Sequence, residues 1–237
     1  MATRYAFVEL DTTGSTQDEA RERFDGADPV VVVARRQTSG RGRLGRVWEE
    51  PDLALFTSLA FEPLWPVESR SLIPLVAGLS ARSSIEALSG IAVDLRWPND
   101  LMIGDVKVGG LLAESSGDVV VVGCGVNLAW SDPMEGATSL ADHGARPVEA
   151  TDLARAWADH LLERLSRHPD QWGLDEYRRS CITIGQSVAY RDGSGAAIGV
   201  SDEGALLVET SAGVVAVSSG EVRVTEPATI PDDREGR

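Results

Sequence analysis

Gln37-Thr38-Ser39-Gly40-Arg41-Gly42-Arg43-Leu44-Gly45-Arg46-Val47-Trp48 is the stretch on which the reading of this chain turns. Three glycines and three arginines alternate between Gly40 and Arg46. Glycine allows positive φ and close approach to a ligand. Arginine keeps its charge and carries five donors in a fixed fork, suited to phosphate and carboxylate. Together they describe a flexible, cationic loop able to close on an anion. Gly40, Gly42 and Gly45 also satisfy the spacing of the dinucleotide-binding fingerprint, which requires a helix directly afterwards. Trp48-Glu49-Glu50-Pro51 follows instead, and Leu53 to Phe61 reads as a strand. The dinucleotide fold is therefore excluded. A kinase glycine-rich loop is excluded too, because no His-Arg-Asp or Asp-Phe-Gly is present. A P-loop would need Lys then Ser or Thr after Gly45, where Arg46 and Val47 stand.

Outward from the loop, Pro29 to Ala34 is a continuous β-branched run that reads as a buried strand feeding the loop. Tyr5 to Asp11 forms a short strand before it. Thr16 and Glu19 have the form of a capping box opening a helix that runs through Phe24 to Gly26. Beyond the loop, Glu68 to Leu88 is helical in composition, and Pro74 sets its start. Val93 to Trp97, Leu101 to Ile103, Val106 to Glu114 and Val119 to Cys124 are strands separated by turn residues. On the third of these, alternation places Lys107 and Gly109 on one face, Val106 and Val108 on the other. A β-bulge at the paired glycines is the alternative. Thr151 to Arg167 is a helix with Leu153, Trp157, Leu161 and Leu165 spaced by four, and a shorter helix covers Leu174 to Ser180. After Cys181 come short strands with tight turns: Ser187–Arg191, Ala196–Val200, Ala205–Thr210, Val214–Val217 and Glu221–Thr225. These describe a small barrel of about fifty residues. The expected division is a domain over 1–182, a second over 183–229, and a polar tail over 230–237.

The chain of 237 residues is 43% hydrophobic and carries 37 acidic against 22 basic residues, for a net charge of -15. General affinity for nucleic acid or an anionic membrane is not expected of such a surface. Cys124 and Cys181 match no disulfide or metal-ligand spacing, and the N-terminus lacks a signal peptide's apolar segment. A reducing cytoplasm is the expected compartment.

A second constellation gives the loop a partner. Trp97-Pro98-Asn99-Asp100 and Lys107-Val108-Gly109-Gly110 lie on consecutive strands, adding a carboxylate and a lysine beside open space to the cationic loop. Ser15-Thr16-Gln17, the Gly/Arg loop, Arg96-Trp97-Pro98-Asn99-Asp100, Lys107-Val108-Gly109-Gly110, Gly123-Cys124-Gly125-Val126-Asn127 and Ala137-Thr138-Ser139-Leu140 resemble, in order and spacing, the motifs of the biotin protein ligases. Gln17 stands where that family usually has Asn, and Arg96 where Lys is common.

The resemblance implies an α/β (α+β) fold, a mixed central sheet with flanking helices as in class II aminoacyl-tRNA synthetases and biotin ligases, plus an SH3-like C-terminal barrel. It implies a ligase that makes biotinyl-5′-AMP from biotin and ATP, with Mg²⁺ and no tightly bound protein metal, and transfers biotin to a lysine of a carboxylase's carrier domain. A lipoate or octanoate transferase of the same fold is the alternative. A catalytically dead sensor is disfavoured by the complete Arg41, Arg43 and Lys107 set. The motifs begin at Ser15, which speaks for the form without a DNA-binding winged helix. The oligomeric state is left open, a homodimer included.

Carried over by motif, Lys107, Arg43 and Asp100 are the implied catalytic residues, with Asp100 either a base or a Mg²⁺ contact. Ser15, Thr16, Gln17, Gln37, Gly40, Arg41, Gly42, Arg43, Lys107, Gly109 and Gly110 are the implied biotin side. Arg41, Arg43, Arg46, Trp48, Asn99, Lys107 and Asn127 are the implied ATP and adenylate side.

Overall fold

The structure, a computed structural model, describes residues 4–218 and 220–225. The tail expected over 230–237 lies outside the described residues, as do the last positions of the expected second domain. The described residues fall into two compact units that divide between Cys181 and Ile182.

The first unit is built on one mixed sheet of seven strands. These are β1 (Ala6–Thr13), β2 (Val30–Gln37), β3 (Leu53–Phe61), β4 (Asp94–Arg96), β5 (Asp100–Ile103), β6 (Val106–Ser116) and β7 (Val119–Ala129). Their spatial order is β1-β2-β3-β7-β6-β5-β4. Only β1 and β2 run parallel, joined across helix α1 (Thr16–Arg23); every other neighbouring pair is antiparallel.

The two faces of the sheet are covered unequally. On one, α2 (Ile73–Ser89) and α3 (Ala150–Leu165) pack against each other and against the strands. The spaced-by-four residues of α3, Leu153, Trp157, Leu161 and Leu165, are all buried. Trp157 satisfies its indole N–H on the Ala77 carbonyl at 3.2 Å. Pro74 occupies the first turn of α2, where its missing N–H has no helical partner to lose. On the other face α1 packs, and Ala20 meets Val30, Val32, Ala60 and Val121. A helix of eight residues spans roughly 12 Å. It covers only part of that face, and the site occupies the rest.

The antiparallel ladder between β5 and β6 shifts register between Leu101 and Met102: Leu101 pairs with Gly109 and Met102 with Lys107. Val108 is therefore an extra residue, a β-bulge. This overturns the simple alternation that put Lys107 and Gly109 on one face. A β-carbon at Gly109 would point to the core side, 3.0 Å from Leu101 Cδ1 and 2.5 Å from the Gly125 carbonyl oxygen. Lys107 shares its face with Gly110 instead, whose β-carbon would sit 3.3 Å from Lys107 Nζ. The strands of the second unit also begin and end differently from the sequence reading. They are β8 (Ser187–Tyr190), β9 (Gly193–Val200), β10 (Leu206–Thr210), β11 (Gly213–Val217) and β12 (Arg223–Val224), antiparallel in the order β11-β10-β9-β8-β12. Gly193, Ser194 and Gly195 belong to β9 rather than to the turn before it. Val188, Ala197, Val200, Leu206 and Val208 form the core of this unit. Helix α4 (Leu174–Ser180) closes the chain of the first unit.

Gly109→Ala is expected to destabilise the protein by about 1–3 kcal/mol, the usual cost of forcing a group into a filled core. The check is a lowered urea midpoint. Gly14→Ala, where the added carbon has no atom within 4 Å, is expected to leave the midpoint near wild type.

Candidate active site

The site is a patch of sheet from which side chains are missing. Gly123 and Gly125 are two apart on β7 and so share a face. Gly110 of β6 pairs with Gly125 and joins them. The space their β-carbons would fill is taken by the side chains of Gln17, Trp48 and Lys107. A β-carbon at Gly123 would lie 3.0 Å from Gln17 Oε1, one at Gly125 2.9 Å from Trp48 Cζ2, and one at Gly110 3.4 Å from Trp48 Cζ3.

Lys107 is fixed at both ends. Its backbone pairs with Met102 of β5 along one edge, and the segment after β7 takes up its N–H and carbonyl along the other. Lys107 N–H donates to the Gly136 carbonyl at 2.8 Å, and Thr138 N–H donates to the Lys107 carbonyl at 2.9 Å. Its ammonium donates to Asp100 Oδ1 at 2.6 Å and lies 5.6 Å from the Trp48 ring centroid, within cation–π range. Asp100 opens β5 directly after the Trp97-Pro98-Asn99 turn and pairs with Arg96. Asn99 is held by its amide N–H to the Leu111 carbonyl at 3.0 Å, and its oxygen accepts from Arg43 Nη1 at 2.7 Å.

The Gly/Arg loop is a small hairpin laid at this patch. Trp48 N–H donates to the Gly40 carbonyl at 3.0 Å and Gly42 N–H to the Arg46 carbonyl at 2.8 Å. Leu44 and Gly45 turn the crest with φ of 58° and 74°. Arg41 forks onto Asp18 of α1 through two 2.7 Å hydrogen bonds. The Arg41 guanidinium holds the Asp18 carboxyl below the usual carboxylate range. The three arginines thus have separate places: Arg41 on α1, Arg43 on Asn99, and Arg46 exposed on the returning arm.

The expected capping box does not form. Ser15 is the N-cap of α1 and its side chain makes no capping bond. Thr16 is the first helical residue. Its N–H and hydroxyl donate to Gln37 Oε1 at 2.7 and 3.1 Å, and its hydroxyl meets Ser58 Oγ at 2.8 Å. Glu19 accepts from Thr13 Oγ1 at 2.9 Å instead of turning back to the helix start. The tertiary partners from β2 and β3 outcompete the local cap. Ser15, Thr16 and Gln17 are all buried. With Gln37 Oε1 occupied twice, the group this amide has left to offer is its NH₂, on the side of Gly40.

Asn127, near the end of β7, is buried. It donates from Nδ2 to the Thr138 carbonyl at 2.8 Å, while its Oδ1 is buried with no partner among the described residues. The Thr138 segment is pinned by Asp142, which sequence reasoning missed. Asp142 Oδ2 accepts from Ser139 N–H at 2.9 Å, Ser139 Oγ at 2.8 Å and Thr138 Oγ1 at 3.3 Å. Asp18, Ser58, Glu114 and the Gly123/Gly125 pair as a floor were also missed. Only the Gly-x-Gly alternation carried a signal. Gly109, expected at the site, directs its missing side chain away from it. Among the described residues no group of three or more His, Cys, Asp or Glu is placed to hold a metal ion, and no helix is long and apolar enough to cross a membrane. Both cysteines are buried, and burial pushes the Cys124 thiol well above its ordinary value.

Residues 10–127 match the biotin/lipoate A/B protein ligase family, which gives the class of this catalytic unit. Residues 183–224 match the biotin protein ligase C-terminal domain, which selects the biotin branch of that class. The chain is 34% identical to a biotin--[acetyl-CoA-carboxylase] ligase of Mycobacterium tuberculosis over 89% of this chain and 85% of that one. It is 30% identical to the ligase of the same name from Paracoccus denitrificans, over 90% and 98%. A biotin protein ligase from Aquifex aeolicus, solved in complex with biotin and ATP, superposes with a TM-score of 0.79 at 26% identity, covering 93% of this chain and 99% of that one. The chain belongs to the biotin protein ligase family.

The hydrogen bonds from Ser139 hold the Asp142 carboxyl below the usual carboxylate value. A group with a depressed folded-state pKa adds stability above its unfolded value, about 3.9, and loses it as pH falls through the folded one. Asp142→Ala is therefore expected to flatten the acid limb of the stability–pH curve below about pH 4. Urea unfolding across that range checks this; an unchanged slope would remove Asp142 as the pin of this segment.

Proposed function

We propose that this chain joins biotin to ATP as biotinyl-5′-AMP and then transfers the biotinyl group to a lysine of a carboxylase carrier domain. Residues 1–182 form the catalytic domain in this reading and 183–229 an SH3-like domain. The observation that carries it is Lys107. A half-buried ammonium stands at the edge of a glycine floor, with the polar amides of Gln17 and Gln37 toward one end and Arg43–Asn99 near the other.

Biotin's ureido ring is neutral and polar, so it needs matched donors and acceptors rather than charge. Ser15, Thr16, Gln17 and Gln37 supply these. A biotin carboxylate oxygen attacks the α-phosphorus of ATP, the α–β bridging bond breaks, and pyrophosphate leaves with the electron pair. The carboxylate is already ionised at neutral pH, so this step needs no general base. Its barrier is that of bringing one anion to another, and fixed positive charge lowers it most. Lys107 serves the carboxylate and α-phosphate, and Arg43 and Arg46 the polyphosphate. Trp48 and Asn127 form the adenine side, where Asn127 Oδ1 still lacks a donor. Magnesium enters with the ATP phosphates; Asp100, the carboxylate beside Lys107, is already paired with that ammonium.

In the second step the neutral amine of the carrier lysine attacks the acyl carbon and AMP leaves with the bonding pair. Asp100 takes the amine's proton, its oxygen being released when Lys107 turns to the acyl phosphate. The hairpin over the floor keeps water from the mixed anhydride.

Incubation with ATP, Mg²⁺, biotin and a carrier domain, read by streptavidin blot, is expected to label the carrier. No label from folded protein would sink this reading. Lys107→Ala is expected to lower biotin-dependent ATP–pyrophosphate exchange by ~10²–10³ with the fold intact by circular dichroism. Near-normal exchange would remove Lys107 from the first step.

A further inference from the structure

We propose that Glu114 is a positioning residue for biotin, acting through Gln17. The proposal rests on the ligase reading and names a residue that reading does not use. Glu114 lies on β6, ninety-seven residues from Gln17, and Gln17 Nε2 donates to its Oε2 at 3.1 Å. The same oxygen is 3.3 Å from Arg21 Nη2 and 3.9 Å from Arg41 Nη2.

An amide has a donor end and an acceptor end, and a carboxylate only accepts. The contact therefore fixes which way Gln17 faces: its NH₂ must point at Glu114, and Oε1 must point away. Oε1 lies over Gly123, where the absence of a side chain makes room for it. No described residue donates to it. Gln37 is fixed in the opposite sense, its oxygen held by Thr16 and its NH₂ left to give. The two amides, Gln17 buried and Gln37 half-buried, thus present one acceptor and one donor. A cyclic urea, with N–H groups flanking a carbonyl, requires that pairing. Without Glu114, the Gln17 amide is free to flip and set a donor against a ureido N–H. Glu114 is partly exposed and touches no part of the Lys107 cluster in this arrangement, so its effect falls on biotin binding and not on the chemical step.

The test is a double-mutant cycle on biotin affinity, measured by calorimetry on the full chain. Glu114→Ala is expected to weaken biotin about tenfold, the worth of one hydrogen bond to a charged group. In a Gln17→Ala background the same change is expected to cost nothing further. ATP–pyrophosphate exchange at saturating biotin should keep its kcat while KM for biotin rises. Glu114→Gln can still accept from Gln17 but no longer attracts Arg21 and Arg41, and it should retain most of the affinity. Additive losses in the cycle, a fall in kcat at unchanged KM, or an equal loss in Glu114→Gln and Glu114→Ala would each overturn the assignment. A wild-type chain that binds no biotin would instead sink the ligase reading, and this inference with it.

Discussion

A β-sheet in a compact unit normally carries side chains on both faces, and close packing leaves little room between them and what lies above. This protein needs one face filled and the other bare over a short length. Gly110, Gly123 and Gly125 meet that constraint. Opposite them, Leu111, Cys124 and Val126 pack into the core beneath α2 and α3, so the same three-strand region is dense on one side and open on the other. The expected site residues Gln17, Trp48 and Lys107 are arranged around that opening. Gln17 comes from the helix, Trp48 from the hairpin, and Lys107 from the strand itself.

The bulge at Val108 is the second condition. An unbroken ladder would place Lys107 on the core face with Gly109, where an ammonium would lack both water and a counter-ion, a costly arrangement. One extra residue turns the lysine to the open face, while Gly136 and Thr138 satisfy the Lys107 backbone groups along the edge away from β5. The loop after β7, polar and with a 3₁₀ turn at Ala141–His143, is thereby given a structural task. Asp142 and Asn127 secure it from two sides.

Much of this was legible in the sequence. The strand after the Gly/Arg loop rejected the dinucleotide fold, and the apolar runs located every strand of the large sheet to within a few residues. The amphipathic repeat of α3 named its buried face correctly. What was hidden depended on contacts between distant positions. Periodicity assumes an unbroken pleat, so it misplaced Gly109; a bulge stood as the alternative at the paired glycines, and pairing with β5 puts its extra residue at Val108. Thr16 and Glu19 fit a local cap, yet Gln37 and Ser58 offered Thr16 better partners across the fold. The tie between Gln17 and Glu114 is not legible in the sequence, because the two residues lie ninety-seven positions apart and meet only across the fold.

Lys107 has one further consequence. A lysine side chain has about 2 kcal/mol of rotamer entropy to lose when it is immobilised, and a residue of backbone about 1–2 kcal/mol. Here the main chain is clamped by Gly136 and Thr138, and the side chain lies between Asp100 and the Trp48 ring. Much of that ordering is in place when the chain has folded. A long, flexible side chain is thus held before any ligand arrives, and that part of the entropy of fixing it is charged to the stability of the fold rather than to the affinity for any ligand.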